Sequence, residues 1–576
     1  MSLETDVQAL TTSVQDLLTA VNVKKADLDS SATAAAASAA AAETHKNAAA
    51  AILLEVQQTA DTSVDINHIG APGAAGFGVG IAPSVALFDG MTPLYGYTDP
   101  THPQYGNYQY SDGSVMCWIP KFYYRIGHAS NPTYGVHGVN SLDVKGVKDF
   151  PTRFDAEAAG YAMHRAFIDG GDEQDGFFVD KYMASKNAKG AGFVASSIAG
   201  GLPLSTAADH NPIADLTACA GNAYYEAINA AHARDGVDGA VNLASRFHVV
   251  SRFQWAALAL LSLAHGQAAT SSTYCAWYAA SGTTNFPKGC NNNALGDTND
   301  GAIAYVSDGY SNCGTAGSGT PFAKTTHNGQ ACGVADVNGL MYDLSIGITC
   351  IAGTVAITAA SQGNPCQITA VGHGLATGDA VMITSVGGMT QLNDKIFAVT
   401  VVDADHFTLD GVDATAFPAY TAGGTVTYGT FYAANEATRM RDFTAGNTLA
   451  SDHWGATGVA AMMTPISVPF ATAYPNNGFV QKIGNAGNQV LDPAASGNGW
   501  LLTALGLPQA GGISTAGSNL FGIDYFYQYI RNELFLLSSL AWAYGSSAGV
   551  WGLYLYDGRA GAHHRVGFRA ACYPGA

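Results

Sequence analysis

The sequence predicts an α+β protein: an N-terminal coiled-coil stalk, a strand-rich head with two helices, and a small β-barrel or sandwich inserted into the head. Three observations predict it. A heptad seam opens the chain, two helical patterns interrupt a body of short aromatic strands, and residues 351–428 alternate with a period of two between turn residues. The expected boundaries are 1–62 for the stalk, 63–84 for a linker, and 85–350 for the first part of the head. Residues 351–428 form the inserted module and 429–576 the second part of the head.

In the stalk, Leu3, Val7, Leu10, Val14, Leu17, Val21 and Leu28 follow a 4-3 spacing, interrupted once at Lys24. That spacing places them on one seam, as a coiled coil requires. The alanine-rich tract that follows has high helix propensity but little side chain to bury. Packing against identical copies would stabilise it; the alternative is a flexible, partly helical tail. Mixed Leu and Val at the seam permits two or three strands. The helix should end near Ala60, before a segment rich in Gly and holding Pro72.

Composition narrows the partners. Only 12% of residues are charged, while the chain holds 68 Gly and 28 Tyr. A net charge of −19 disfavours nucleic acid and anionic membranes. No strongly apolar run of membrane-spanning length and no signal pattern is evident, so synthesis in the cytoplasm is expected. The nine cysteines are scattered without a C-x-x-C pair, and read as buried thiols rather than a disulfide framework or a zinc site.

Two helices are expected in the head. One covers about Thr217 to Arg234, with Tyr224, Ile228 and Ala231 at helical spacing, and stops at Asp235-Gly236. The other opens on a capping box, Ser251-Arg252-Phe253-Gln254, and runs to Gly266. Its apolar residues cover most of its circumference, so it should be deeply buried and its Trp255 structural. Asn338-Gly339 reads as a hairpin turn. In the module, the repeated tripeptides Gly353-Thr354-Val355 and Gly424-Thr425-Val426 suggest paired incoming and outgoing strands. His373, between two glycines, reads as a turn residue. Residues 471–525 read as Gly-, Asn- and Ala-rich surface loops.

The final stretch, Arg531 to Tyr573, carries the functional expectation. From Gly552 to Tyr556 the residues alternate, so Leu553 and Leu555 share one strand face and Tyr554 and Tyr556 the other. Burying the leucines turns the tyrosines outward. The candidate contact residues are Tyr544, Ser546, Trp551, Tyr554, Tyr556, Asp557, Arg559, His563 and His564. Such a mixture of rings, Arg and small polar groups has the composition of a recognition surface. Strict alternation places Trp551 with the leucines, so it faces out only if the strand begins after it. The adjacent His563 and His564 are expected to point apart, with no metal between them.

Several motifs resemble a known family. They are Val115-Met116-Cys117-Trp118-Ile119-Pro120-Lys121-Phe122-Tyr123-Tyr124, Asp175-Gly176-Phe177-Phe178-Val179-Asp180-Lys181-Tyr182, Gly333-Val334-Ala335-Asp336-Val337-Asn338-Gly339, and Gly567-Phe568-Arg569-Ala570-Ala571. In this order they resemble the C-type-lectin-like domain shared by phage tropism determinants and formylglycine-generating sulfatase-modifying factors. Met183 stands where that family usually has an acidic residue, and Tyr342 and Leu344 replace its tryptophans. The module's Gly372-His373-Gly374-Leu375 and Gly387-Gly388-Met389 resemble small β modules of phage tail proteins, often compared with the first catalytic-cysteine half-domain of ubiquitin-activating enzymes.

The resemblance implies a phage tail fibre: a receptor-binding virion protein, assembled in the host cytoplasm, that attaches to the host surface through its lectin-like head. Its expected partners are a homotrimer through the N-terminal helices, phage tail or baseplate proteins, and a host receptor. Neither nucleic acid nor membrane insertion is expected. No cofactor and no catalysis are expected, because no cysteine lies between Cys366 and Cys572 to serve formylglycine-type chemistry. A structural tail component without receptor contact is the alternative.

Overall fold

The computed structural model describes residues 3–60, 65–219, 223–279, 287–288, 290–297, 300–444, 462–466, 477–480, 503–507, 513–514 and 524–574. Most of the expected loop segment 471–525 lies outside them. The chain divides into two units: Met1–Val64 with Thr92–Tyr95, and Asp65–Met91 with Gly96–Ala576. In the first, one helix, α1, covers Leu3–Ala60 and ends where the sequence places its end. Its seam residues Val7, Leu10, Val14, Leu17, Val21 and Leu28 are all exposed within the single chain.

The second unit holds two helices that position the rest. Helix α2, Ala223–His232, starts later than its sequence pattern and buries Tyr224, Ala227, Ile228 and Ala231. Helix α3, Arg252–Ala268, opens on the expected capping box: Ser251 accepts the Gln254 N–H, and the Gln254 side chain accepts the Ser251 N–H at 2.9 Å. Every residue from Arg252 to Gly266 is buried. Trp255 is structural, its indole N–H donating to the Val550 carbonyl at 2.9 Å and tying α3 to the terminal region.

One antiparallel sheet contains, in spatial order, Asn107–Gln109, Val115–Pro120, Gly176–Asp180, Ala570–Cys572 and Phe247–Val249. The chain's last strand therefore fills the gap between two strands formed about 320 and 390 residues earlier in sequence. The long motif from Val115 to Tyr124 divides at Lys121: Phe122–Ile126 joins a separate sheet with Leu142–Gly146. Asn338-Gly339 does not close a hairpin. Asn338 is fully buried, its amide donating to the Lys288 carbonyl and its oxygen accepting from the Tyr305 hydroxyl at 3.2 Å.

Ion pairs lock this sheet from within. The buried Arg234 guanidinium donates to Asp112 at 3.0 Å and to Asp180 at 2.7 Å, and its plane lies over the Phe247 ring. Arg569, in the Gly-Phe-Arg motif, donates to Asp343 at 2.8 Å and to the Ala335 carbonyl at 3.1 Å. Burial pushes the Asp180 carboxyl up to about 6, although Arg234 and the Ala570 N–H pull the other way. Burial thus opposes the charged form of that carboxylate while Arg234 supports it, and in such buried pairs the desolvation cost can offset much of the attraction.

Buried neutral histidines give the fold an acid limit. His327 accepts the Val334 N–H on Nδ1 at 3.0 Å and faces the Gly78 carbonyl with Nε2 at 3.2 Å, which places its single proton on Nε2. Burial holds it down at about 3. A base depressed in the folded state contributes stability that is complete above its unfolded value near 6.5 and is lost as pH falls toward about 3. His327→Gln should therefore flatten the acid side of the stability curve by up to about 1.4 kcal/mol per pH unit, one proton's worth. Urea unfolding at several pH values between those limits checks this. Parallel curves for variant and parent would show that His327 takes up no proton on unfolding.

The inserted module hangs from one long antiparallel pair, Ile348–Ala356 with Gly423–Ala434. Within it Val355 opposes Val426 and Thr354 opposes Thr427, so the two repeated tripeptides do lie on paired strands, two residues out of register. Strands Cys366–Thr369, Ala380–Val386, Lys395–Val401 and His406–Leu409 complete the module. Their inward residues, including Ile368, Val381, Ile383, Val399, Phe407, Leu409 and Val426, form its own core. His373 is a turn residue, as its flanking glycines suggest: Nδ1 accepts the Leu375 N–H, Nε2 faces the Asp403 carbonyl, and the ring meets Phe407 edge-on.

Candidate functional site

A second sheet carries the terminal tyrosines. Tyr525–Gln528 runs parallel to Leu553–Leu555, which pairs antiparallel with Leu536–Ser538; that strand in turn pairs with Tyr342–Ser345. Alternation does the sorting. Phe526, Gln528, Leu553 and Leu555 are buried, while Tyr525, Tyr527, Tyr529, Tyr554 and Tyr556 are half-buried and share the other face. The register sets Tyr527 opposite Tyr554, and their rings stack with centroids 5.0 Å apart. Tyr529 meets Tyr556 edge-on at 4.6 Å, and the Arg531 guanidinium lies 4.5 Å over the Tyr556 ring.

The array is anchored from beneath. Tyr342, buried, touches Tyr544 at 5.4 Å and Tyr554 at 5.3 Å. Burial first, then the neighbouring Tyr544, Asp557 and Tyr527, push the Tyr554 phenol far up, so it stays a neutral donor. Burial also raises the half-buried Asp557, against the pull of Arg531. Behind the face, Lys288 and Asp524 form a buried pair at 2.5 Å. Asp524 accepts the Trp551 N–H at 2.8 Å, and Lys288 reaches the Ser546 and Ala548 carbonyls. Gly549 is required here, because a Cβ would sit 2.1 Å from the Asp524 carboxylate. At the edge of the face, the Tyr529 hydroxyl donates to Asp394 of the inserted module at 2.8 Å.

Of the nine residues expected in the contact patch, Tyr544, Ser546, Tyr554, Tyr556 and Asp557 are half-buried on this terminal region. Two are corrected. Trp551 is fully buried, because it precedes the strand in a turn pinned by Asp524 and packs against Gly506. Arg559 is buried as well: its guanidinium donates to Thr349 at 2.9 Å and lies over the Tyr224 ring, serving as a strut between α2 and the module's first strand. His563 and His564 lie elsewhere, beside Tyr310 and Trp542. Their rings are 4.4 Å apart rather than diverging. The sequence reading missed Tyr525, Tyr527, Tyr529 and Arg531. The alternation in Tyr525-Phe526-Tyr527-Gln528-Tyr529-Ile530 was visible, but it stands at the end of a Gly- and Ala-rich run that masks it.

Residues 365–428 match the ubiquitin-activating enzyme E1 FCCH domain. The match falls on the inserted module and covers about one-ninth of the chain, so it speaks for the module. No curated protein matches the sequence. The match counts against the phage reading drawn from the motifs: residues 365–428 are similar to a domain of ubiquitin-activating enzymes, and no match supports a tail fibre, a virion location, a lectin-type head or host-receptor attachment. Phage tail, baseplate and host-receptor partners lose their support with it, since the matched domain is one of ubiquitin-activating enzymes. The expectation that the chain is no enzyme loses its support too, because the domain matched over residues 365–428 occurs in an enzyme family. The physical reason is that the motifs speak at most for a fold, and a fold does not by itself fix a function.

Proposed function

We propose that this protein recognises a polypeptide partner through the tyrosine face, with the FCCH-like module standing at its edge. The observation that carries the reading is the Tyr527–Tyr554 stack within an array of half-buried tyrosines on one sheet face. Stiff rings with neutral hydroxyls supply contact area and hydrogen bonds at small entropic cost. Arg531 and Asp557 add one charge of each sign beside them. A polypeptide is favoured because the adjacent module matches a family whose name ties it to a protein, ubiquitin.

Ubiquitin and a displayed random-peptide library are the probes. Ligands of the native protein should bind the double variant Tyr527→Ala/Tyr554→Ala about 30-fold more weakly, roughly 2 kcal/mol, as for hot-spot tyrosines. Equal affinity for the variant would place recognition elsewhere.

The same match favours a second reading, ubiquitin activation itself. All nine thiols are buried. Burial raises each of them, several to about 12, which opposes a thiolate acceptor in this conformation. Ubiquitin-dependent exchange of pyrophosphate into ATP tests that reading.

A further inference from the structure

Away from the tyrosine face, His210, Asp308 and Cys313 converge. Among the described residues they form a group whose candidate ligand atoms all lie within 4.8 Å of one another. The side chains of His210 and Asp308 are almost wholly out of solvent, and Cys313 is fully buried. A short turn brings two of the groups together: the Asp308 N–H donates to the Cys313 carbonyl, and the Cys313 N–H to the Tyr310 carbonyl. The Tyr310 N–H holds Asp308 Oδ1 at 2.8 Å, aiming Oδ2 at the histidine. The Tyr310 ring closes the site, stacked on His210 at 4.2 Å.

The hydrogen bonds of His210 make this more than a cluster. Its Nδ1 lies 2.6 Å from the His564 carbonyl, which can only accept, so Nδ1 carries a proton. In a neutral ring the lone pair then sits on Nε2, and Nε2 points at Asp308 Oδ2 from 2.6 Å. Two lone pairs cannot face each other at that distance without a proton or a metal ion between them. A backbone carbonyl on one nitrogen and a free lone pair on the other is also how metal-bound histidines are oriented.

We propose that His210 Nε2, Asp308 Oδ2 and Cys313 Sγ form a site for a borderline divalent transition metal of the zinc or cobalt class. A mixed nitrogen, oxygen and sulfur donor set suits such an ion and does not suit calcium or magnesium, which take oxygen. Protons balance without leaving charge in the interior. With a divalent ion, a neutral imidazole, a carboxylate and a thiolate leave the site neutral, the thiol proton having left for solvent. Nε2 and Oδ2 must part by roughly 0.7 Å to reach ordinary zinc-ligand spacing, and one coordination position stays open to water or to Asn211. The site is independent of the tyrosine face and of its reading.

Cobalt(II) titrated into the metal-free full chain tests this. The expected result is a near-ultraviolet thiolate-to-cobalt absorption saturating at one ion per chain, release of protons on binding, and displacement by zinc. Cys313→Ser should abolish the band and Asp308→Asn should weaken cobalt binding at least tenfold, while Cys366→Ser leaves both unchanged. No band in the native protein, or a band that survives Cys313→Ser, overturns the proposal. If the variants do not fold, the stoichiometry of the native chain and its thiolate-to-cobalt band decide it.

Discussion

Asp180→Ala should cost about 3–5 kcal/mol of stability, the loss expected when a buried charge is left without its partner. Asp180 does two things in the first sheet: it accepts from Arg234 at 2.7 Å, and it accepts the Ala570 N–H at 2.9 Å on the chain's last strand. Removing it leaves Arg234 with Asp112 alone and strips a partner from the backbone of that strand. The paired carboxylate is fully buried, and desolvation offsets much of what such a pair gains. The penalty comes from breaking it. Asp180→Asn keeps a hydrogen-bonding group and should cost less. Urea unfolding at pH 8, where the carboxylate is ionised, measures both variants; a loss below about 1 kcal/mol for Asp180→Ala would mean that solvent reaches Arg234.

Trp551→Ala should cost a comparable amount, about 3–5 kcal/mol, by opening a cavity where the indole packs against Gly506. This variant separates two accounts of the terminal aromatic residues. A contact residue would lose ligand affinity with little change in stability. A buried residue loses stability first, as its complete burial and the Asp524 bond to its backbone predict. A fully stable Trp551→Ala protein would return Trp551 to the contact surface.

How far the sequence revealed this molecule depends on the range of the interaction. The α3 capping box, the strand alternation at Gly552–Tyr556, the end of α1 and the turn at His373 are decided by neighbours within a few residues, and all were legible. The tripeptide repeat announced the pair of strands from which the module hangs. What was hidden is long-range. Nothing near Arg559 in sequence announces Thr349 or Tyr224, so its burial could not be read. The partnership of Tyr527 with Tyr554 depends on a parallel register across 27 residues, and the convergence of His210 with Asp308 on a gap of 98. Asn338-Gly339 shows the opposite failure: a strong local turn signal overridden by burial of its asparagine.

The central claim is that the tyrosine face is the recognition surface, and its most direct test is fluorine NMR of the chain carrying 3-fluorotyrosine, titrated with a bound peptide or ubiquitin. Resonances assigned by single Tyr→Phe substitutions to Tyr527, Tyr554 and Tyr556 should shift to saturation, while those of the buried Tyr108 and Tyr124 stay in place. A partner that saturates the protein and leaves Tyr527, Tyr554 and Tyr556 unmoved would contradict the account.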